Sequence, residues 1–226
     1  MLFAALIVLF VPFACTSPFL SVFSSVGSRE ERVVIIDAGH GGEDGGAVAA
    51  DGTKESGINL AIAEKLGELL PFLGIETVLT RTEDVSLHDE SSETLRQKKV
   101  SDLKNRTAFV NGMENAVLLS IHQNSLPSDP RVRGAQAFYA KTEGSDTLAK
   151  ALQSTLNEAI NSSKPKSERA IYSGVYLMEN VERPAVLVEC GFLSNAEESK
   201  VLTTENHQKV LALAIAAGYL SWETER

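Results

Sequence analysis

Val33-Val34-Ile35-Ile36-Asp37-Ala38-Gly39-His40-Gly41-Gly42-Glu43-Asp44-Gly45-Gly46 is the stretch on which the reading of this chain turns. Four β-branched apolar residues in a row predict a short strand buried on both faces, as in a parallel sheet. Glycines follow at once, and among them stands a single histidine, His40. Lacking a Cβ, glycine lets the backbone turn tightly and lets a ligand come close. A strand that ends in such a turn presents its imidazole at the carboxyl edge of the sheet, where α/β folds usually carry their sites. His40 is therefore expected to ligate a metal ion, with partners supplied from elsewhere in the chain.

Beyond the turn, a helix is expected from Glu55 to about Leu70, with Ile58, Ile62, Leu66 and Leu69 on its inward face and Pro71 as its stop. Residues 74–80 read as the next strand, completing a strand–helix–strand unit. Residues 81–104 are rich in Ser, Glu and Asp and read in part as loop and candidate lid, with helical character returning over 97–112. A buried strand over 116–121 ends in His122. A strand over 134–140 and an amphipathic helix over 145–161 follow, then a polar loop over 161–170 and a short strand at 175–177. The strand over 184–190 carries Glu189 near its end, Asn195 and Glu198 have capping-box spacing, and a closing helix covers 204–222. Strands alternate with helices throughout, so the class is α/β, with one domain built on a mixed, mostly parallel sheet flanked by helices.

The 226-residue length suits one domain with a substantial core. A net charge of −9 with no dense Lys/Arg cluster argues against nucleic acid and anionic lipid as main partners. Residues 1–23 carry no charge and are broken by Pro12 and Pro18, and the first charged residue is Arg29. We read 1–28 as an export signal or membrane anchor, and 29–226 as the folded domain. Of the two cysteines, Cys15 falls in the leader and Cys190 in a buried strand, so neither a disulfide framework nor a CxxC metal knuckle is present. Any metal must be held by histidine and carboxylate.

Four residues then fall at strand or helix ends: His40, Glu55, His122 and Glu189. Two imidazoles and one carboxylate leave a zinc ion an open position, which is the ligand set of a catalytic site. A second carboxylate that does not ligate can move the proton of the attacking water. Each residue also has a plain structural explanation. His40 could be a hydrogen-bonded turn residue, Glu55 a favourable charge at a helix N-terminus, and His122 a loop cap. Glu189 is the hardest to explain that way, because an acid after Ala-Val-Leu-Val is costly to bury without a partner. Glu43 and Asp44 remain rivals for the carboxylate place, while Glu64 lies more than two turns from Glu55. Strand alternation points Cys190 away from Glu189. His88 and His207 read as surface residues.

The segments Asp37–Gly42, Lys54-Glu55 with Asn59-Leu60, Ser120-Ile121-His122 with Asn124-Ser125, and 184–189 followed by Gly191-Phe192-Leu193-Ser194-Asn195 resemble the four signatures of zinc-dependent N-acetylmuramoyl-L-alanine amidases, in order. Arg106, Ala108 and Asn111 resemble that family's helix before the second histidine strand. The resemblance runs from about Val33 to the C-terminus. It implies a mixed sheet of about six strands and hydrolysis of the amide between N-acetylmuramic acid and L-alanine in peptidoglycan. By position it implies His40, Glu55 and His122 as zinc ligands, Glu189 as general base and then acid, and Asn124 and Arg106 as substrate contacts. The hydrophobic leader and the 174–180 segment are most similar to the family's spore-cortex branch, which serves muramic-δ-lactam formation. Gln123 departs from the small or apolar residue usual after the second histidine, and is expected to alter substrate contacts.

The implied partners are glycan strands with their stem peptides, an activating lipoprotein or other protein, and no nucleic acid. The implied place of action is extracytoplasmic, in the cell envelope or spore cortex. Two other readings compete. One is a zinc peptidase on the stem peptide, for which Arg106, Arg131 and Arg133 could hold a terminal carboxylate. The other is a wall-binding protein on an amidase scaffold that depends on a partner. The glycines at 41 and 42 are expected to clear space for a glycan strand.

Overall fold

The computed structural model describes residues 32–171 and 173–225. The leader, 1–28, lies outside them. The elements run β1 Val33–Ala38, α1 Glu55–Phe72, β2 Thr77–Leu79, α2 Leu95–Asn111, β3 Ala116–Asn124, β4 Gln136–Tyr139, α3 Ser145–Ala159, β5 Arg169–Ala170, α4 Tyr176–Asn180, β6 Ala185–Phe192, α5 Ala196–Leu202 and α6 Glu205–Thr224. The strands form one six-stranded sheet in the order β2-β1-β3-β6-β4-β5. β1 pairs parallel with β2 and β3, and β3 parallel with β6. β4 runs antiparallel to β6, and β5 parallel to β4.

Period-two alternation sorts the strand residues onto two unequal layers. Val34, Ile36, Val117, Leu119, Ile121, Val186, Val188 and Cys190 join the larger core with residues of α1, α3 and α6. Ile35, Ala116, Leu118, Ala185 and Leu187 join a smaller cluster with Val110 of α2 and Leu177 and Met178 of α4. Asp37, Ser120, His122 and Glu189 continue that second alternation toward the carboxyl edge. In register, Asp37 lies against Ser120 and His122 against Glu189. The face with the thinner apolar layer thus carries the polar residues at its open end.

Several expectations need correction. The helix expected to stop at Pro71 continues to Phe72 with Pro71 in its last turn. There a proline removes one backbone donor and crowds the preceding turn, and the helix ends one residue later. The stop comes at Gly74, whose φ of 80° is left-handed, with the Gly74 and Ile75 amides bonding back to the Pro71 and Leu70 carbonyls. The strand expected at 175–177 is helix α4 instead. Its Leu177 and Met178 pack into the smaller core from one helical turn, beside Val110 of α2. Asn195 caps α5 through the Glu197 and Glu198 amides, but the Glu198 carboxylate does not complete a capping box. It accepts from the Gly134 and Phe192 amides instead. Inside the loop expected over 161–170 lies β5, whose two residues are both exposed and so carried no apolar signal. Among the described residues no helix is long and apolar enough to cross a membrane.

Candidate functional site

At the end of β1 the chain turns through His40, which has φ 62°, then Gly41 and Gly42 at 140° and 60°. A left-handed backbone is uncommon for a residue with a Cβ and collects at functional sites. The imidazole is held from outside: its Nδ1 lies 3.0 Å from Asp44 Oδ2. Its Nε2 points inward, 3.3 Å from Glu55 Oε1. His122, near the end of β3, brings its Nδ1 to 3.0 Å from the same oxygen. The two rings meet edge to face, with centroids 5.1 Å apart.

Glu55 is the first residue of α1 and is buried. Its Oε2 accepts from the Ala47 amide at 2.8 Å, and its Oε1 from the Gln123 amide at 3.0 Å and Asn59 Nδ2 at 3.2 Å. Burial disfavours its charge, but both imidazoles outweigh that and hold its carboxyl well below the usual range. For His40, burial disfavours the charged ring, yet Asp44 and Glu55 lift it to about 9. A field that favours a proton on an inward ring nitrogen favours a metal cation there as well. One ligand atom from each of His40, Glu55 and His122 lies within 4.8 Å of the others. The same three residues stood out in the sequence.

Glu189, across the sheet from His122, completes the group. Its Oε2 is closed to solvent and has no hydrogen-bond partner among the described residues. Burial first, then the Glu55 charge, outweigh the nearby imidazoles and push its carboxyl up to about 7. A carboxylate oxygen closed to solvent and without a partner, beside three converging donors, is the arrangement expected of a group awaiting a cation or a reacting water.

The surroundings revise other expectations. Arg106, which the resemblance implied as a substrate contact, is 1% exposed and enclosed by Asp37, Asp102 and the Ala38 and His40 carbonyls, a place in which it braces the His40 turn. Gln123 is also buried, and its Nε2 donates to Asn59 Oδ1, so it braces the Glu55–Asn59 pair and does not face the substrate side. Asn124 follows a register irregularity in β3 and is half-buried, its Oδ1 accepting from the Ser125 amide at 2.7 Å. Asp44 orients His40 from behind, and Glu43 pairs with Lys98. Cys190 sits in the larger core, where burial pushes its thiol above the ordinary range. His88 and His207 are half-buried, where the sequence suggested surface positions. His88 Nδ1 lies 2.9 Å from Ser86 Oγ, and His207 Nε2 is buried without a partner among the described residues.

The glycines around the turn make room for protein groups. A Cβ on Gly41 would strike the Val85 carbonyl and one on Gly42 would press on Ser86, so neither clears a glycan path. A Cβ on Gly39 would run into the His122 ring, and one on Gly46 into Glu55 and His40. The candidate lid is fastened down: the Asp102 carboxylate accepts from Ser86 Oγ and the Leu87 amide, and Asn105 donates to the Leu87 carbonyl. Two further residues support the turn, one of them, Asn59, within a signature segment and the other, Arg81, outside any. Asn59, one turn after Glu55, donates to the Gly39 carbonyl, and Arg81 donates to the Ala38, Gly39 and Ser56 carbonyls. Helical spacing from Glu55 signals Asn59, whereas nothing in the sequence marks Arg81.

The family model for N-acetylmuramoyl-L-alanine amidase matches residues 34–220. The chain belongs to that family. It is 34% identical to the germination-specific N-acetylmuramoyl-L-alanine amidase of Bacillus subtilis, over 86% of this chain and 81% of that one. Against the amidase AmiA of Escherichia coli it is 26% identical, over 86% of this chain and 77% of the other. The CwlD amidase of Clostridioides difficile, solved in complex with the GerS lipoprotein, superposes with a TM-score of 0.82 at 38% identity, covering 87% of this chain and all of that one. The amidase described here is thus a peptidoglycan hydrolase that cleaves between the muramoyl group and L-alanine. Its His40–Glu55–His122 donor cluster and Glu189 lie together at the carboxyl edge of the sheet.

Proposed function

We propose that His40, Glu55 and His122 hold a zinc ion and that Glu189 carries the proton in amide hydrolysis. The observation that carries this reading is the buried, unpartnered Glu189 Oε2 beside the three-donor cluster. Two imidazoles and one carboxylate suit zinc and leave it room for substrate. When bound, zinc supplies a Lewis acid that polarises the scissile carbonyl and acidifies a water. Glu189 is placed to take a proton from the attacking water and to return it to the alanine nitrogen as the amide bond breaks. Asp44 fixes the His40 ring by holding Nδ1. The buried Glu55–Asn59–Gln123 chain fixes the carboxylate. Asn124, on the rim beside His122, is the candidate substrate contact.

We place the reaction outside the cytoplasm, in spore cortex, where removal of the stem peptide prepares muramic acid for δ-lactam closure. The likeness to a germination-specific amidase and to CwlD supports that setting. The CwlD structure was solved with a lipoprotein, and we propose a lipoprotein partner of the same kind for this chain. The test uses purified protein, denuded peptidoglycan and mass spectrometry of the products. Intact stem peptides with a free L-alanine amine are expected with zinc, and Glu189→Gln should keep zinc while losing turnover. Peptides shortened from their carboxyl end would indicate a peptidase. Near-parental digestion by Glu189→Gln would refute the role given to that residue. Stoichiometric zinc and full activity in the isolated chain would refute dependence on a partner.

A further inference from the structure

Four basic side chains, Arg131, Arg133, Lys164 and Lys166, line one cavity of about 620 Å³. The chain as a whole has 30 acidic residues against 21 basic ones, so such convergence runs against its average. The cavity does not include the proton-moving acid among its lining residues but approaches it along β4. Gly134, on its wall, is two residues before Gln136, which pairs across the sheet with Glu189. Lys166 marks that side: its Nζ donates to the Gly134 carbonyl at 2.6 Å and lies 4.7 Å from the ring centre of Phe192, the last residue of β6.

The charges in this cavity are unequally committed. Arg131 is engaged by Asp129 at 2.8 and 3.2 Å. Two acids also lie on the wall: Glu198 is occupied by the Gly134 and Phe192 amides, and Glu197 is exposed, so four basic side chains face two acidic ones. Arg133 and Lys164 are exposed and form no ion pair among the described residues. Lys166 is half-buried, and burial brings its ammonium down to about 8, so an anion here would also relieve a desolvated cation. A cavity of this size accommodates a residue or two of peptide.

We propose that this cavity is an anion subsite that takes a carboxylate of the peptide on the leaving side of the scissile amide. The proposal rests on the amidase reading and adds to it a charge requirement. The peptide released by the cut is a chain of amino acids with free carboxylates, whereas the N-acetylated sugars beside it are uncharged. Positive charge near Glu189 therefore selects the peptide arm over the glycan and fixes which way the substrate lies.

The test uses the zinc-loaded enzyme and soluble disaccharide-peptide fragments, either as prepared or with their carboxyl groups converted to amides. Arg133→Ala with Lys164→Ala alters two exposed residues, and a matched thermal melt confirms the fold. For the carboxylate substrate KM should rise about tenfold with kcat changed less than about twofold, while KM for the amidated substrate should not move. Salt should weaken the parent enzyme on the carboxylate form and leave the amidated form unaffected. Equal changes on both substrates, or none, would overturn the anion subsite while leaving the amidase reading intact. Release of no L-alanine amine by the parent from either substrate would overturn the amidase reading, and this proposal with it.

Discussion

Glu189→Gln should make the metal-stripped protein more stable while abolishing its activity. Burial raises the Glu189 carboxyl from 4.5 to about 7. At roughly 1.4 kcal/mol per pH unit, that displacement corresponds to about 3 kcal/mol. The sign follows from the direction. A carboxyl raised in the folded state binds its proton more tightly there than in the unfolded chain, so its contribution is fully present below pH 4.5. It is lost as pH rises through about 7, where the unfolded chain carries the charge at no cost. Glutamine has the same shape and does not titrate. With a chelator present, urea unfolding followed by circular dichroism should show the variant more stable by about 2–3 kcal/mol at pH 8 and no more stable at pH 4.5. Added zinc should shrink the gain, because a nearby cation favours the carboxylate. Turnover with zinc should fall by about 10²- to 10⁴-fold, as for loss of a general base. A variant no more stable than the parent at pH 8, or one with the same gain at both pH values, would refute the burial argument. Retained turnover would refute the catalytic one.

Replacing His40 or His122 by Ala should reduce bound zinc well below one per chain by elemental analysis, with the fold retained by circular dichroism. Arg106→Ala leaves Asp37 buried without its guanidinium and should cost about 3–5 kcal/mol, read from the urea midpoint. Asp37 itself is lowered from 3.8 to about 2, burial being outweighed by Arg106 and Ser120, so its stabilisation is present above pH 3.8 and lost as pH falls through about 2. Asp37→Asn should flatten acid unfolding across that window. Gly39→Ala forces a methyl into the His122 ring and should weaken zinc retention against a competing chelator more than Gly57→Ala, where a Cβ meets nothing.

What could be read in the chain depended on whether a residue's role is local. His40, Glu55, His122 and Glu189 each sit at the end of a patterned element, and the pattern gives both their depth and their edge. The strand alternation that puts Cys190 in the core also turns Glu189 toward His122. The residues misread have their roles set by tertiary partners. Arg106 looks like a substrate contact until the register places Asp37 on the α2 face beneath it. Gln123 looks like a substrate-side substitution until the buried Asn59 appears behind it. Helix α4 and strand β5 are too short for periodicity to distinguish, and packing against the smaller core decides the first of them.

Charge accounting connects this framework to the chemistry. Arg81 and Arg106 lie close enough to disfavour each other's charge, an unusual pairing beneath a cation site. Asp37 and Asp102 offset them, leaving that layer near neutral. Both guanidiniums aim at the carbonyls of residues 38–40: Arg81 at Ala38 and Gly39, and Arg106 at Ala38 and His40. These bonds hold the His40 turn in its left-handed conformation, which an exposed loop would abandon. Above that neutral layer remain Glu55, Glu189 and Asp44, the last shared with Lys99 at 3.3 Å, facing two imidazoles. Counted with both rings neutral, as metal ligands must be, and Glu189 ionised, three carboxylates against one lysine leave a local excess of negative charge. A divalent cation balances it at the point where a proton must next be moved, and that balance explains why the buried arginines serve the turn and leave substrate recognition to the rim.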